Sequence, residues 1–208
     1  MRAPHDAGRD PAPGDALRRV VEEHAPEGTR EIVAKARILR ELDRLPRPCD
    51  ESADPVHVTG SAVVVGARGM VMHLHRRLGR WMQPGGHVDG GEEPWQAAER
   101  ESEEETGLAV AHPPGGPILV HLDVHPAAQG HTHLDLRYLL LAEDAEPAPP
   151  PGESQDVRWC TWDEAASMAD EALVGAIALS RALWAQHGPA WLATAPVRSG
   201  PDGPDRAR

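Results

Sequence analysis

Residues 86–108 read GHVDGGEEPWQAAERESEEETGL, and this is the most informative segment of the sequence. The pattern predicts a helix over residues 94–106, because proline is tolerated in a first turn and Gly107 is typical of a helix end. Four glutamates crowd its last turns: Glu101, Glu103, Glu104 and Glu105. Positions three and four apart share a helix face, so Glu103 is expected to point away while the other three converge.

The three converging carboxylates repel one another. Like charges at this spacing destabilise a helix by about 0.2–0.5 kcal/mol per pair. A divalent cation would offset that cost, and hard carboxylate oxygens suit Mg²⁺ or Mn²⁺. The alternative is an acidic face turned towards solvent, which is the usual fate of a run of charges. The glutamates alone leave both interpretations open.

The spacing of the fixed residues resembles the signature of the Nudix hydrolases. That signature is G-x5-E-x7-R-E-U-x-E-E-x-G-U, in which U is aliphatic. The positions that match in register are Gly86, Glu92, Arg100, Glu101, Glu104, Glu105, Gly107 and Leu108. Ser102 departs from it, which removes an apolar anchor but no metal ligand. Segments over residues 15–190 also resemble a Nudix subgroup with a short helical N-terminal extension.

The resemblance implies an α/β/α sandwich with a mixed β-sheet. It also implies a hydrolase that cleaves a diphosphate linkage in a nucleoside diphosphate linked to another group. The implied cofactor is Mg²⁺ or Mn²⁺, which neutralises and orients the diphosphate, and its implied ligands are Glu101, Glu104, Glu105 and the carbonyl of Gly86. Glu92 and Arg100 match the positions of a structural ion pair, and the alternative for Arg100 is an ordinary pair with Glu104.

The general base is left between two carboxylates. Hydrolysis needs a carboxylate within reach of the attacking water, and family members take it either from the signature helix or from a late loop. Glu153 lies in such a loop, before a predicted strand at residues 157–161, and is expected to be close to the metal or to act as the base. Glu101 is the competing candidate. The alternative for Glu153 is a surface carboxylate.

A set of polar residues forms the candidate substrate site. Alternate residues of a strand share a face, so two neighbouring strands are expected to present these side chains on one side. The set comprises His121, Asp123, His125, His131, His133 and Arg137, together with His87 inside the signature and Trp81 shortly before it. Imidazole and guanidinium groups suit phosphate or sugar. A zinc site and plain structural hydrogen bonding are the alternatives, and for Trp81 the alternative is core packing.

The remainder of the chain mixes strands and helices without a regular βαβ pattern, which favours a mixed sheet with helices on both faces. Strands are predicted over residues 56–66, 70–75, 81–82, 118–125, 132–142 and 157–161, helices over 163–168 and 171–187, and a loop over 84–86. The predicted organisation is a disordered tail (1–14), a helical extension (15–50), the hydrolase domain (55–192) and a second disordered tail (193–208).

Composition limits the partners. The 208 residues carry 21 Lys plus Arg against 33 Asp plus Glu, a formal net charge of −12, which does not suit nucleic-acid binding. The chain shows neither a signal peptide nor an apolar run that spans a membrane, and its two cysteines suit a reducing compartment, so the cytoplasm is predicted. The expected partner is a small nucleotide, and a homodimer is left open.

Two other functions remain as alternatives. A non-hydrolytic Nudix module that binds a ligand as a regulator would share the fold, but it could dispense with metal ligands, whereas the glutamate set here is complete. An isoprenoid diphosphate isomerase needs a cysteine near the strand before the signature, whereas Cys49 and Cys160 lie elsewhere. Metal-dependent phosphate release separates the hydrolase from the regulator.

Overall fold

The computed structural model describes residues 13–194, and the two predicted tails lie almost entirely outside this range. The helical extension is present as α1 (Pro13–Glu23) and α2 (Gly28–Arg44). An eight-stranded mixed sheet and further helices follow. Among the described helices, none combines the length and the apolar character needed to cross a membrane.

The long strand β1 (Val56–Gly66) is the centre of the sheet and is buried along nearly all its length. It runs parallel to β7 (Thr132–Ala142) in unbroken register. β6 (Ile118–Pro126) pairs antiparallel with β7, and the short β5 (Val110–Ala111) pairs with the end of β7. The apolar runs of β1 and β7 fit strands that are covered on both faces.

The first two strands of the domain diverge beyond the turn that joins them, and each pairs there with a short strand. β2 (Gly69–His75) pairs with β1 only beside the turn. β3 (Arg80–Met82) then pairs with β2, β4 (Gly85–His87) pairs with β1, and β8 (Val157–Cys160) pairs with the other side of β2. The loop predicted at residues 84–86 is therefore wrong for its last two residues, because glycines show no side-chain alternation that would mark a strand.

Helices cover both faces of the sheet, and the predicted α/β/α sandwich is confirmed. α3 (Pro94–Thr106) shares one face and one apolar core with α1 and α2. α4 (Trp162–Met168) and α5 (Glu171–Thr194) cover the other face with a second core. α5 runs past its predicted end at residue 187 and contains Pro189.

The helical extension is joined to β6 by a buried glutamate. Glu31 of α2 is 2% exposed, and its Oε1 accepts a hydrogen bond of 2.8 Å from the amide of Leu122. The same carboxylate lies 2.7 Å from Nε2 of His24 and accepts a 2.6 Å bond from the amide of Glu27. An edge strand leaves amide groups without strand partners, and α2 supplies an acceptor for one of them.

Candidate active site

The signature helix α3 packs closely on the middle of β1 because residue 60 is a glycine. A Cβ atom at Gly60 would lie 2.1 Å from the carbonyl oxygen of Pro94. The first turn of the helix is closed by a 2.9 Å bond from the Glu93 amide to Oε1 of Gln96. The helix ends at Gly107, which has a left-handed backbone (φ 68°), as predicted. These contacts fix the direction in which the glutamates point.

Two glutamates of α3 reach the neighbouring strand β4. The carboxylate of Glu101 lies against Gly86, where an added Cβ would be 2.4 Å from Oε1. Oε2 of Glu105 accepts a 2.9 Å hydrogen bond from the amide of Gly85. Because residue 86 has no side chain, the Glu101 carboxylate can lie directly against the strand.

Burial and mutual repulsion oppose ionisation of these carboxylates. Burial, and then the carboxylates of Glu101 and Glu153, raise the pKa of Glu105 to about 8. Burial also raises the pKa of Glu101, and the adjacent Arg100 offsets this only in part. Carboxyl groups in such surroundings are stabilised by a bound proton or by a nearby cation.

Arg100 ties the helix to the loop that precedes it. Its guanidinium donates to both oxygens of Glu92, at 3.0 and 3.2 Å, and to the carbonyl of His87 at 2.9 Å. It also contacts Glu101 at 2.8 Å and Glu104 at 3.1 Å. Arg100 therefore forms a two-pronged pair with Glu92 and an ordinary pair with Glu104 at the same time. The sequence had left these two pairs as alternatives.

The neighbouring side chains of α3 turn in other directions. Glu103 faces away from β4, and its Oε1 lies 3.4 Å from the amide of Val110 in β5. Ser102, the one departure from the signature, is fully buried, and its hydroxyl donates a 2.6 Å bond to the carbonyl of Ala98. The hydroxyl of Ser102 is therefore paired although it is buried.

The late loop brings Glu153 into the same cavity as Glu105. This cavity of about 360 Å³ is lined by His73, His75, Arg76, Arg77, Glu105, Glu153 and Ser154. The hydroxyl of Ser154 donates a 2.7 Å bond to the carbonyl of Leu74, which anchors the loop on β2. The volume lies at the small end of the range of small-molecule sites. Carboxylates that are far apart in sequence thus meet in one cavity.

Sequence reasoning did not single out the basic side of this cavity. Nδ1 of His73 lies 3.7 Å from Oε1 of Glu105, and burial lowers the pKa of this histidine to about 4, so its imidazole is neutral at pH 7. Arg76 and Arg77 bring positive charge to the same cavity. The relevant segment is HLHRR at residues 73–77. Its place in the cavity depends on the packing of β2 beside α3, which the segment itself does not indicate.

Three of the predicted substrate residues lie in the interior: His121, Asp123 and Arg137. Arg137 donates a 2.8 Å bond to the carbonyl of Ala172 in α5. Asp123 accepts a 3.0 Å bond from Arg30 of α2 and also lies 3.4 Å from Arg137. These residues occupy the sheet face that α5 covers, whereas α3 covers the opposite face. Their contacts match the alternative of structural hydrogen bonding.

The other predicted histidines gather near the start of β1. The rings of His87, His131 and His133 have centroids within 5.2 Å of the ring of His57, and His125 lies 5.4 Å from His133. The sequence did not single out His57, because a histidine within an apolar strand resembles an ordinary core residue.

Trp81 lies away from the glutamate cavity. It packs against the core on the α5 side of the sheet. The guanidinium of Arg158 lies over its ring, 4.5 Å from the centroid. This position matches the packing alternative for the tryptophan.

The donors at α3 fit Mg²⁺ or Mn²⁺. The carboxylates of Glu101, Glu104 and Glu105 and the carbonyl of Gly86 are all hard oxygen ligands of the kind that these cations prefer. Burial and mutual repulsion raise the pKa values of Glu101 and Glu105, and a bound cation would favour the ionised form of both carboxyl groups.

Comparisons with known proteins find related domains. The NUDIX domain model matches residues 55–179. The chain is 31% identical over 101 residues to an asymmetrical bis(5'-nucleosyl)-tetraphosphatase of Caenorhabditis elegans, covering 47% of this chain and 70% of that protein. It is 32% identical over 123 residues to a CMP-5'-(N-acetyl-N-hydroxy-3-aminopropyl)phosphonate hydrolase of Streptomyces rubellomurinus. That match covers 54% of this chain and 56% of the relative, so it spans little more than half of the relative's length.

Solved structures agree with these matches. A NUDIX family hydrolase from Clostridium perfringens is 26% identical, with a TM-score of 0.52 over 61% of this chain and 97% of that chain. An Ap4A hydrolase of Caenorhabditis elegans, at 22% identity, has a TM-score of 0.52 over 62% of this chain and 98% of that chain. At that identity the second match shows a shared fold alone.

Proposed function

The chain belongs to the NUDIX domain family, and on that premise we propose that it is a hydrolase that requires Mg²⁺ or Mn²⁺ and cleaves a diphosphate linkage in a nucleotide. The observation that carries the proposal is the meeting of Glu105 from the helix and Glu153 from the late loop in one cavity. The two curated relatives, each named for a nucleotide compound, support this class of substrate.

We assign the cation to Glu101, Glu104, Glu105 and the carbonyl of Gly86. When bound, it would supply the positive charge that neutralises the diphosphate and would acidify water. Arg100 is a positioning residue, because its bonds to Glu92 and to the carbonyl of His87 fix the helix relative to the loop. Arg76 and Arg77 line the cavity, where their charge favours the approach of phosphate groups.

Glu153 is our candidate for the general base. It accepts the proton of the attacking water as the new phosphorus–oxygen bond forms. The phosphorus–oxygen bond of the diphosphate breaks, and the leaving phosphate takes the electron pair. Glu101 suits this role less, because Arg100 already holds its carboxylate at 2.8 Å.

Other features of the function stay as proposals or predictions. A cytoplasmic location is supported by Cys49 and Cys160, which are both free thiols. The substrate roles predicted for Trp81 and for the strand residues, and the homodimer, stay predictions.

A panel of nucleotides tests the proposed hydrolysis. Dinucleoside tetraphosphates, nucleoside triphosphates, sugar nucleotides, ADP-ribose and CMP conjugates are incubated with Mg²⁺, with Mn²⁺ or with chelator, and phosphate products are measured. We expect Glu104→Gln to lower turnover by ~10²-fold or more, by analogy with the loss of electrostatic stabilisation of a transition state. Glu103→Gln is the matched control, because Glu103 lies on the same helical turn and faces β5.

Equal turnover in Glu104→Gln and the wild type would contradict the assignment of the metal ligands. Binding of nucleotides without any metal-dependent turnover would favour the non-hydrolytic regulator instead. Equal losses of turnover in Glu103→Gln and Glu104→Gln would show that turnover depends on the total negative charge of the helix rather than on the three proposed ligands.

A further inference from the structure

A second group of metal-ligating side chains lies away from the glutamates. His57 of β1, His87 of β4 and His133 of β7 offer ligand nitrogens that all lie within 4.8 Å of one another. We propose that these three histidines bind a Zn²⁺ ion at a site separate from the glutamate helix. This group differs from the zinc site considered as an alternative in the sequence analysis, because it contains His57 and His87 in place of residues from β6.

His57 presents a lone pair that no residue within 13–194 uses. Its side chain is fully buried, and its Nδ1 lies 3.3 Å from the carbonyl oxygen of Asp54. A carbonyl can only accept, so Nδ1 carries the proton and Nε2 has the free lone pair. Nε2 is buried and has no hydrogen-bond partner among the described residues. A bound cation would satisfy this nitrogen.

His87 is oriented in the same way. Its Nδ1 lies 3.1 Å from Oε2 of Glu51, so the carboxylate accepts the proton of Nδ1, and Nε2 is the nitrogen that carries the lone pair. Histidines that bind zinc commonly donate their other ring nitrogen to a carboxylate or a backbone carbonyl. Asp54 and Glu51 already provide these two kinds of acceptor to His57 and His87.

The surroundings favour a cation over an anion. Burial, together with the neighbouring imidazoles, lowers the pKa of His133 to about 4, and burial also lowers the pKa of His57. These imidazoles are therefore neutral at pH 7, which is the state that binds metals and the state that attracts phosphate least. Imidazole nitrogen suits Zn²⁺ better than it suits Mg²⁺.

The geometry needs only small side-chain movements. Tetrahedral zinc with bonds of about 2.0–2.1 Å places its ligand nitrogens roughly 3.3 Å apart, so rotations must bring the present nitrogens closer by up to about 1.5 Å. Ions can enter from solvent, since the side chains of His87 and Glu51 are 42% and 51% exposed. Glu51, His57 and His131 form a second overlapping group, which offers a further donor for the fourth position.

The two sites lie on opposite faces of β4. Gly86 faces the Glu101 carboxylate of α3, because a Cβ there would collide with it. Adjacent residues of a strand point to opposite faces, so His87 faces the histidines of β1 and β7. A zinc ion would therefore join β4 to these two strands without sharing a ligand with the glutamates.

The test measures zinc binding by the full chain, stripped of metal and kept in saturating Mg²⁺ so that the carboxylate site is occupied. Zn²⁺ is titrated against a chromophoric chelator, and Co²⁺ is used in parallel for its visible spectrum. We expect one Zn²⁺ per chain and the bands of tetrahedral Co²⁺. His87→Gln should weaken binding at least ~100-fold, since even loss of an outer partner typically costs ~10–100-fold.

His87→Gln changes a partly exposed side chain, so it keeps the test valid if variants of the buried His57 fail to fold. His187→Gln is the control, because that histidine stacks on Trp191 in α5. The absence of bound Zn²⁺, or equal affinity in His87→Gln and the wild type, would overturn the proposal. So would greater thermal stabilisation by inorganic phosphate than by Zn²⁺, which would make the cluster an anion site.

Discussion

The substitution Gly86→Ala tests the close approach of Glu101 to Gly86 in the candidate active site. The added Cβ would lie 2.4, 2.5 and 2.8 Å from Oε1, Cδ and Oε2 of Glu101. These atoms are the end of a flexible side chain, and Gly86 is not among the residues with positive φ, so alanine suits its backbone. The carboxylate of Glu101 therefore moves, while the fold stays intact.

The size of the effect follows from this overlap. Ordinary contacts of a Cβ begin at 3.4 Å, so Glu101 must retreat by about 1 Å. A displacement of about 1 Å in a catalytic arrangement costs on the order of 10²-fold in rate, which equals about 2.7 kcal/mol of activation free energy. We expect little change in the unfolding temperature measured without metal.

The assay compares initial rates at increasing Mg²⁺ for Gly86→Ala, Gly90→Ala and the wild type. Gly90 is the matched control, because it lies in the loop that follows β4, lacks a positive φ and has no atom within 4 Å of an added Cβ. Wild-type rates in Gly86→Ala at every Mg²⁺ concentration would refute the role given to Glu101 and Gly86. Equal losses of rate in both variants would point instead to a general need for glycine in this segment of the chain.

Two further predictions concern the supports of the site. Arg100→Lys loses the two-pronged pair with Glu92, and we expect urea denaturation to show a loss of about 1.5–3 kcal/mol in unfolding free energy, the value of a bond to a charged group. For Glu31, burial acts to raise the pKa, but hydrogen bonds from His24 and two backbone amides bring it below its usual 4.5. Its stabilisation is therefore complete above pH 4.5 and is lost as the pH falls through the lowered pKa. The difference in unfolding temperature between the wild type and Glu31→Gln should shrink from pH 7 to pH 3, and a constant difference would contradict this.

The long strands could be predicted from local sequence, whereas the short ones could not. β1 and β7 begin and end at the predicted residues, because long apolar runs between turn residues mark such strands. β4 and β5 carry no pattern of their own. Pairing with β1 and β7 makes them strands, and that pairing depends on tertiary packing.

The candidate site also has a part that local sequence predicts and a part that it does not. The opposite directions of Glu101 and Glu103 follow from helix periodicity alone, and the structure agrees with both. The cavity and the histidine group depend on residues from separate elements, such as His73 of β2 beside α3 and His57 of β1 beside β4. No spacing within the sequence encodes distances of that kind.

The link between α2 and the sheet changes where the smallest autonomous fragment begins. The family match starts at residue 55, yet Glu31 accepts from the Leu122 amide and Arg30 pairs with Asp123. Truncation at residue 55 would leave the Leu122 amide without Glu31 and the buried Asp123 carboxylate without Arg30. The first helices therefore act as part of the domain itself, and a boundary drawn from homology alone would cut through its interior.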